Sequence, residues 1–165
     1  MRFRLSSVAV CLSLIAPEAQ ALNCTQANLA SNFNWHQQSD KTFRLFRGTV
    51  KMVGAIPKPQ DGKARTAQAV ATGRFMGRSG LGEPQSLNLT VHAECAASWC
   101  GGFPSESADA DFYFLEQTSK GDVLHTGPCD FGYREQPVAK QIRILKRCFK
   151  RGMCSDFDIQ SLDTR

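Results

Sequence analysis

Beyond its first 21 residues the sequence contains no apolar run long enough to cross a bilayer, no internal repeat and no low-complexity tract. A bundle of membrane-spanning helices and a solenoid of stacked repeats are thereby excluded for that part of the chain. The short hydrolytic signatures are missing too: G-x-S-x-G, H-E-x-x-H and S-x-x-K do not occur. Gly80 and Gly82 in "SGLGEP" are too few, and in the wrong setting, for a phosphate loop. Cys95 and Cys100 are spaced C-x4-C, with Gly102 where a C-x-x-C dithiol would need its second sulfur. His36 and His125 have no ligand-type neighbour at metal spacing, and His92-x2-Cys95 is the one local pair of suitable donors. The sequence therefore supplies no catalytic set, no cofactor motif and no metal site.

The amino terminus has the parts of an export signal. Arg2 and Arg4 precede the apolar stretch "LSSVAVCLSLIA", and "AQA" at 19–21 is a small-x-small cleavage site. Cys11 lies inside that stretch behind bulky Val10, a poor setting for a lipid anchor. Cleavage after Ala21 leaves one domain, residues 22–165, in the periplasm or the medium. Loss of Arg2, Arg4 and Glu18 takes the net charge from +5 to +4, a mild bias toward acidic partners.

Cys24, Cys95, Cys100, Cys129, Cys148 and Cys154 remain in the exported chain. An even count in an oxidising compartment reads as disulfides, whose pairing the spacing leaves open. A domain of this size buries a core of its own, so such bridges supplement it.

Period-two alternation marks the strands. It runs in pieces through "TFRLFRGTVKMVG", where Gly48 suits a bulge or bend, and through "AQAVATGRFMGR". It is cleanest in "SLNLTVHAE", where Leu87, Leu89 and Val91 oppose Asn88, Thr90 and His92. "DFYFLEQ" and "VLHT" follow, separated by the turn "SKGD". Between the first two strands "IPKPQDGKART" reads as an exposed connection. The period then changes: Val138, Ile142, Leu145 and Phe149 keep helical spacing after Pro137, and Gly152 ends the helix. "CTQANLASNFNW" suits a short helix or a strap. The fold class is mainly β: a small five-stranded OB-type barrel with one C-terminal helix, stabilised by disulfides. Phe43, Phe75, Phe112 and Phe114 fall where a barrel core needs them.

The order "FRGTV", "TGRFMG", "LNLTVHAECAASWCGGF", "DADFYFLEQTSKGDVLHTGPC" and a closing helix resembles bacterial exported domains of the TIMP-like (netrin-module) OB-fold group, over roughly residues 43–147. The resemblance implies a bridge from Cys100 to Cys129 and a tight backbone turn at Gly101. Inhibitory members of the group chelate a protease zinc through an N-terminal cysteine, whereas Cys24 would stand third, behind Leu22 and Asn23. Cys148 and Cys154 are close enough in sequence to pair around Gly152, which leaves Cys24 for Cys95. The long Cys24–Cys95 loop would then contribute about 4 kcal/mol and the short one about 2 kcal/mol.

The remaining chemistry is weighed against plainer roles. Asp109, Asp111 and Glu116 flank one strand, where carboxylates serve as turn and edge residues. Lys140, Arg143, Lys146, Arg147 and Lys150 form a basic helix face, either solvated or docking an acidic protein or an anionic membrane surface. Export argues against nucleic acid. The Asn23 and Asn88 N-x-T sequons sit beside a cysteine and in mid-strand, and both read as chance.

The expectation is a non-enzymatic exported binding or accessory module whose partner is another exported protein. One form is a helper in maturation of a periplasmic oxidoreductase of the methylamine dehydrogenase type. The alternatives are a TIMP-like protease inhibitor and a thiol–disulfide exchange protein. In the leading reading Cys95 and Cys100 are two staples with different partners, and Trp99 packs beside them.

Overall fold

The computed structural model describes residues 28–58, 60, 62–105, 110–129 and 137–163. The expected leader and cleavage site, Cys24, the Asn23 sequon and Asp109 lie outside the described residues.

Eleven elements follow in order: α1 (Leu29–Gln38), β1 (Phe43–Val53), β2 (Arg65–Gly77), β3 (Gly80–Leu81), β4 (Gln85–Ala93), β5 (Cys95–Ala96), β6 (Trp99–Cys100), β7 (Asp111–Thr118), β8 (Gly121–Thr126), α2 (Val138–Arg151) and α3 (Asp156–Asp163). Five long strands join in the order β1-β7-β8-β4-β2, and pairing of β1 with β2 closes the barrel. Every pairing in the ring is antiparallel except β4 with β8. This is the expected OB-type barrel.

Alternation then sorts the side chains. Inward positions Phe46, Val50, Ala69, Ala71, Leu89, Val91, Leu115 and Leu124 form the barrel interior. The small inward residues of β2 leave room for the ring of Phe46, which no solvent reaches. Gly48 and Gly73 face one another across β1 and β2. A Cβ on Gly73 would stand 2.2 Å from the Arg47 carbonyl oxygen and 2.5 Å from the Gly48 Cα. Glycine is required by this close approach, where β1 passes from its β7 pairing to its β2 pairing. The register runs one-to-one through Gly48 without the bulge that the sequence suggested, and close approach is what requires glycine there.

A second core lies outside the barrel, under the helices. Leu29, Phe33, Leu45, Met76, Phe112, Phe114, Ile144, Leu145, Cys148, Cys154 and Leu162 pack there. The four phenylalanines expected in the barrel divide accordingly. Phe112 and Phe114 are buried in the helix-covered core with Phe43 at its margin, and Phe75 packs against the barrel interior. A strand with two covered faces hides this distinction from its sequence.

α1 is a helix, capped by Asn28, whose side chain accepts from the Ala30 and Ser31 N–H groups. Pro137 stands at the N-cap of α2, one place before the expected position, and Gly152 caps its C-terminus with φ 83°. The buried stripe of α2 is Gln141, Ile144, Leu145 and Cys148. Of the expected Val138, Ile142, Leu145 and Phe149 it contains Leu145, while Ile142 and Phe149 are partly buried against the same core and Val138 is exposed. The stripe is turned because α2 must present Cys148 to Cys154 as well as apolar groups to the barrel.

α3 was not expected from the sequence. Ser155 and Asp158 form a reciprocal cap at its start: Ser155 N–H donates to Asp158 Oδ2, and Asp158 N–H donates to Ser155 Oγ. Asn34 of α1 grips the preceding residue by both atoms of its amide, donating to the Cys154 carbonyl and accepting from the Cys154 N–H. Together with Asn28 Nδ2, which donates to the Ile159 carbonyl, this clamp holds α1 and α3 together.

Cys148 pairs with Cys154, as expected. Cys95 pairs with Cys100, which overturns both Cys24–Cys95 and Cys100–Cys129. Cys129 is also disulfide-bonded, to neither of those two residues. With separations of 5 and 6 residues, chain entropy gives each described bridge about 2 kcal/mol. Burial distinguishes them: Cys148 and Cys154 are 0% and 6% exposed, whereas Cys95 and Cys100 are half-buried. Double serine substitution at 148 and 154 should therefore lower the melting temperature more than the same change at 95 and 100. Equal losses in calorimetry would contradict this.

Candidate functional site

The segment from Glu94 to Gly101 leaves the barrel as a small hairpin. Cys95 pairs with Cys100 and Ala96 with Trp99, so only Ala97 and Ser98 make the turn. Ala97 adopts φ 53° without being glycine, a conformation that a tight two-residue hairpin imposes. The disulfide links the register partners at the base. Trp99 is 61% exposed, which corrects the expectation that it packs beside the cysteines.

Glu94 N–H donates to the Thr126 carbonyl and Gly101 N–H to the Glu94 carbonyl, tying the hairpin base to β8. A Cβ on Gly101 would stand 2.1 Å from the Thr126 oxygen. Gly101 is thus needed for close approach rather than for a tight turn of positive φ. Arg65 adds a hydrogen bond of 3.1 Å to the Gly101 carbonyl.

Beside this base, outward residues of four strands form a polar row. Register sets Thr66 beside His92 and His92 beside His125. Thr66 Oγ1 is 3.1 Å from His92 Nδ1, and the two imidazole rings are 5.6 Å apart. His125 lies between two carboxylates, with Nδ1 2.8 Å from Glu94 and Nε2 2.7 Å from Glu116. Lys41 completes the row with an ion pair to Glu116 at 3.0 Å. That ammonium, with His125 behind it, holds the Glu116 carboxyl below its ordinary range despite partial desolvation.

This row was missed in the sequence. Its strand members are outward positions of β2, β4, β7 and β8, and its two halves, Thr66 with His92 and His125 with Glu116, meet only through the nonlocal β4–β8 pairing. His92 does lie on the polar face, as alternation indicated. Asp111 and Glu116 point to opposite faces of β7, so no carboxylate pair forms between them; Asp111 is buried and accepts from the Phe112 N–H. His92 and Cys95 make no metal site, because Cys95 is oxidised. Among the described residues no group of three or more His, Cys, Asp or Glu side chains is arranged to hold a metal ion.

His36 sits behind the row. Its ring stacks on Phe114 at 4.1 Å and packs against Phe43 at 4.2 Å, while its buried Nδ1 has no hydrogen-bond partner. Burial first, and the nearness of His125 second, lower its pKa from 6.5 to about 4. The folded state thus binds fewer protons than the unfolded state between those values, so stability falls as pH drops through that window. The loss is on the order of 2 kcal/mol after allowing for partial exposure. Glu116 adds its own loss only at lower pH, below its ordinary 4.5. Thermal melts of H36L should show a flatter dependence from pH 6.5 to 4 than the parent; an unchanged slope would contradict the assignment.

The basic face of α2 is less available than its sequence suggests. Arg147 donates to Asp158 from Nε and Nη2 at 3.0 and 2.6 Å, and Arg151 donates to the other carboxylate oxygen. Lys140 is engaged elsewhere, and the Lys146 stem lies against Gly80. Arg143 and Lys150 are exposed.

No family model, curated protein or solved structure matches this chain. No described helix is long and apolar enough to cross a membrane.

Proposed function

We propose that the chain is an exported, non-enzymatic protein-binding module that meets its partner through the hairpin at residues 95–100. The supporting observation is Trp99, 61% exposed on a hairpin whose base is closed by a disulfide. Tryptophan on a preorganised arm offers a large contact area while losing little conformational freedom on association. One form of such a module assists in maturing a periplasmic oxidoreductase of the methylamine dehydrogenase type. A TIMP-like inhibitory role is less well supported, because Leu22 and Asn23 precede Cys24 in the sequence. W99A should weaken capture of an exported partner about tenfold and leave the melting temperature unchanged. Undiminished capture would sink the proposal.

The Cys95–Cys100 bond favours a second reading, thiol–disulfide exchange. A thiolate of a reduced partner attacks one sulfur, the bond between Cys95 and Cys100 breaks, and a mixed disulfide forms as the other sulfur leaves as thiolate. A second partner thiol then resolves the mixed disulfide, so this chain is reduced and the partner oxidised. C100S would trap the mixed species on Cys95 if exchange is the function. Its absence on non-reducing gels after C100S is mixed with a disulfide-bonded protein, whose bond the lone Cys95 thiolate would attack, would count against it.

A further inference from the structure

Three arginines on the outside of the barrel and one lysine of α2 lack the carboxylates that neutralise other cations of this chain. Lys41, Arg44, Arg147 and Arg151 are each paired with a carboxylate. Arg47, Arg74, Arg78 and Lys146 form no ion pair among the described residues. Arg47 and Arg74 are direct register partners on β1 and β2. Like charges directly opposite one another oppose strand pairing.

The next register pair is Gly48 and Gly73, where contact of backbone with backbone fixes the spacing of the two strands. The Arg47 guanidinium is held over the Phe112 ring at 5.8 Å, with its buried Nε lacking a hydrogen-bond partner. Arg78 lies in the turn between β2 and β3. Beside that turn is Lys146, whose Nζ would be 4.0 Å from a Cβ on Gly80. A rigid seam thus carries two opposed guanidinium groups, and the positive strip continues from it toward α2.

We propose that this strip docks an acidic segment of a partner protein, with Arg47 and Arg74 taking its carboxylates as paired forks. Guanidinium groups suit planar carboxylates, and a bound anion removes the repulsion that the register imposes. Two other polyanions fit less well. A membrane surface would be met by apolar side chains beside the cations, yet of the exposed large apolar residues only Val53 of β1 and Val138 of α2 share an element with the strip, at the far ends of those elements from Arg47 and Lys146. Single-stranded nucleic acid needs stacking platforms, and Phe112 beneath Arg47 is only 2% exposed. The inference deepens the binding-module reading and rests on it, by naming the chemistry of the partner.

The test uses the full exported chain and an acetylated glutamate-rich peptide as probe. R47Q/R74Q should weaken peptide binding about tenfold, the scale of one lost charge-assisted interaction. R143Q/K150Q removes the same net charge from the outer side of α2 and should change it by less than about twofold. W99A should leave peptide binding unchanged, so failure of the hairpin and failure of the strip are separate results. R74Q should melt no lower than the parent, because a like-charge contact is relieved. Equal weakening by both double variants would reduce the effect to net charge and overturn the proposal. So would absence of peptide binding, or binding confined to vesicles of phosphatidylcholine and phosphatidylserine.

Discussion

Replacement of Asp158 by alanine is expected to destabilise the protein by about 3 kcal/mol, the low end for breaking a buried ion pair. The carboxylate is 0% exposed and receives Arg147, Arg151, Ser155 N–H and Ser155 Oγ. Burial opposes its ionisation, but the bonds from Arg147 and Ser155 outweigh that cost and hold its pKa below 3.8. Removal leaves two guanidinium groups facing an emptied site and uncaps α3. α1 should loosen as well, since Asn34 depends on the position of Cys154. The pH dependence carries the sign of a depressed carboxyl: the stabilisation is complete above 3.8 and is lost as pH falls through the lower folded value. Urea titration measures the loss. An unchanged midpoint would show that α3 does not depend on this cluster.

G73A should be comparably damaging by a different route. The added methyl would stand 2.2 Å from the Arg47 carbonyl oxygen and 2.8 Å from the Phe46 ring. Backbone cannot yield as a flexible side chain can, so β1 and β2 must separate where the barrel closes. The expected cost is about 3 kcal/mol, at the upper end for overpacking. G77A is the control, because nothing lies within 4 Å of a Cβ there. Similar denaturation midpoints for the two variants would contradict the close-approach account.

The strands were readable because one face of each is apolar and the turns between them are polar: Leu87, Leu89 and Val91 announce β4 unaided. Gly152 and the Cys148–Cys154 pairing were equally readable, since both are settled within a few residues of the helix end. Features that depend on distant partners were not. α3 did carry a local start signal, Ser155-x2-Asp158, but it is short and has only Ile159 and Leu162 as an apolar stripe behind that cap. His125 gains Glu94 and His92 as neighbours only because β8 pairs parallel with β4. The Cys95–Cys100 hairpin escaped for a local reason. Its turn places positive φ on Ala97, and alanine gives no turn signal of the kind glycine or asparagine would. The resemblance to netrin-type modules led away from that pairing by assigning Cys100 to Cys129.

The central claim is that the hairpin meets a partner through Trp99 while its disulfide stays intact. A photo-crosslinking residue at position 99 of the full chain tests this most directly, with the same residue at Phe157 for comparison. Phe157 is another exposed aromatic, at 72%, away from the hairpin. The account predicts one discrete protein adduct from position 99, none from position 157, and a Cys95–Cys100 linked peptide recovered from the adduct under non-reducing conditions. The same adducts from both positions, or an adduct held by a cysteine of the hairpin, would contradict it.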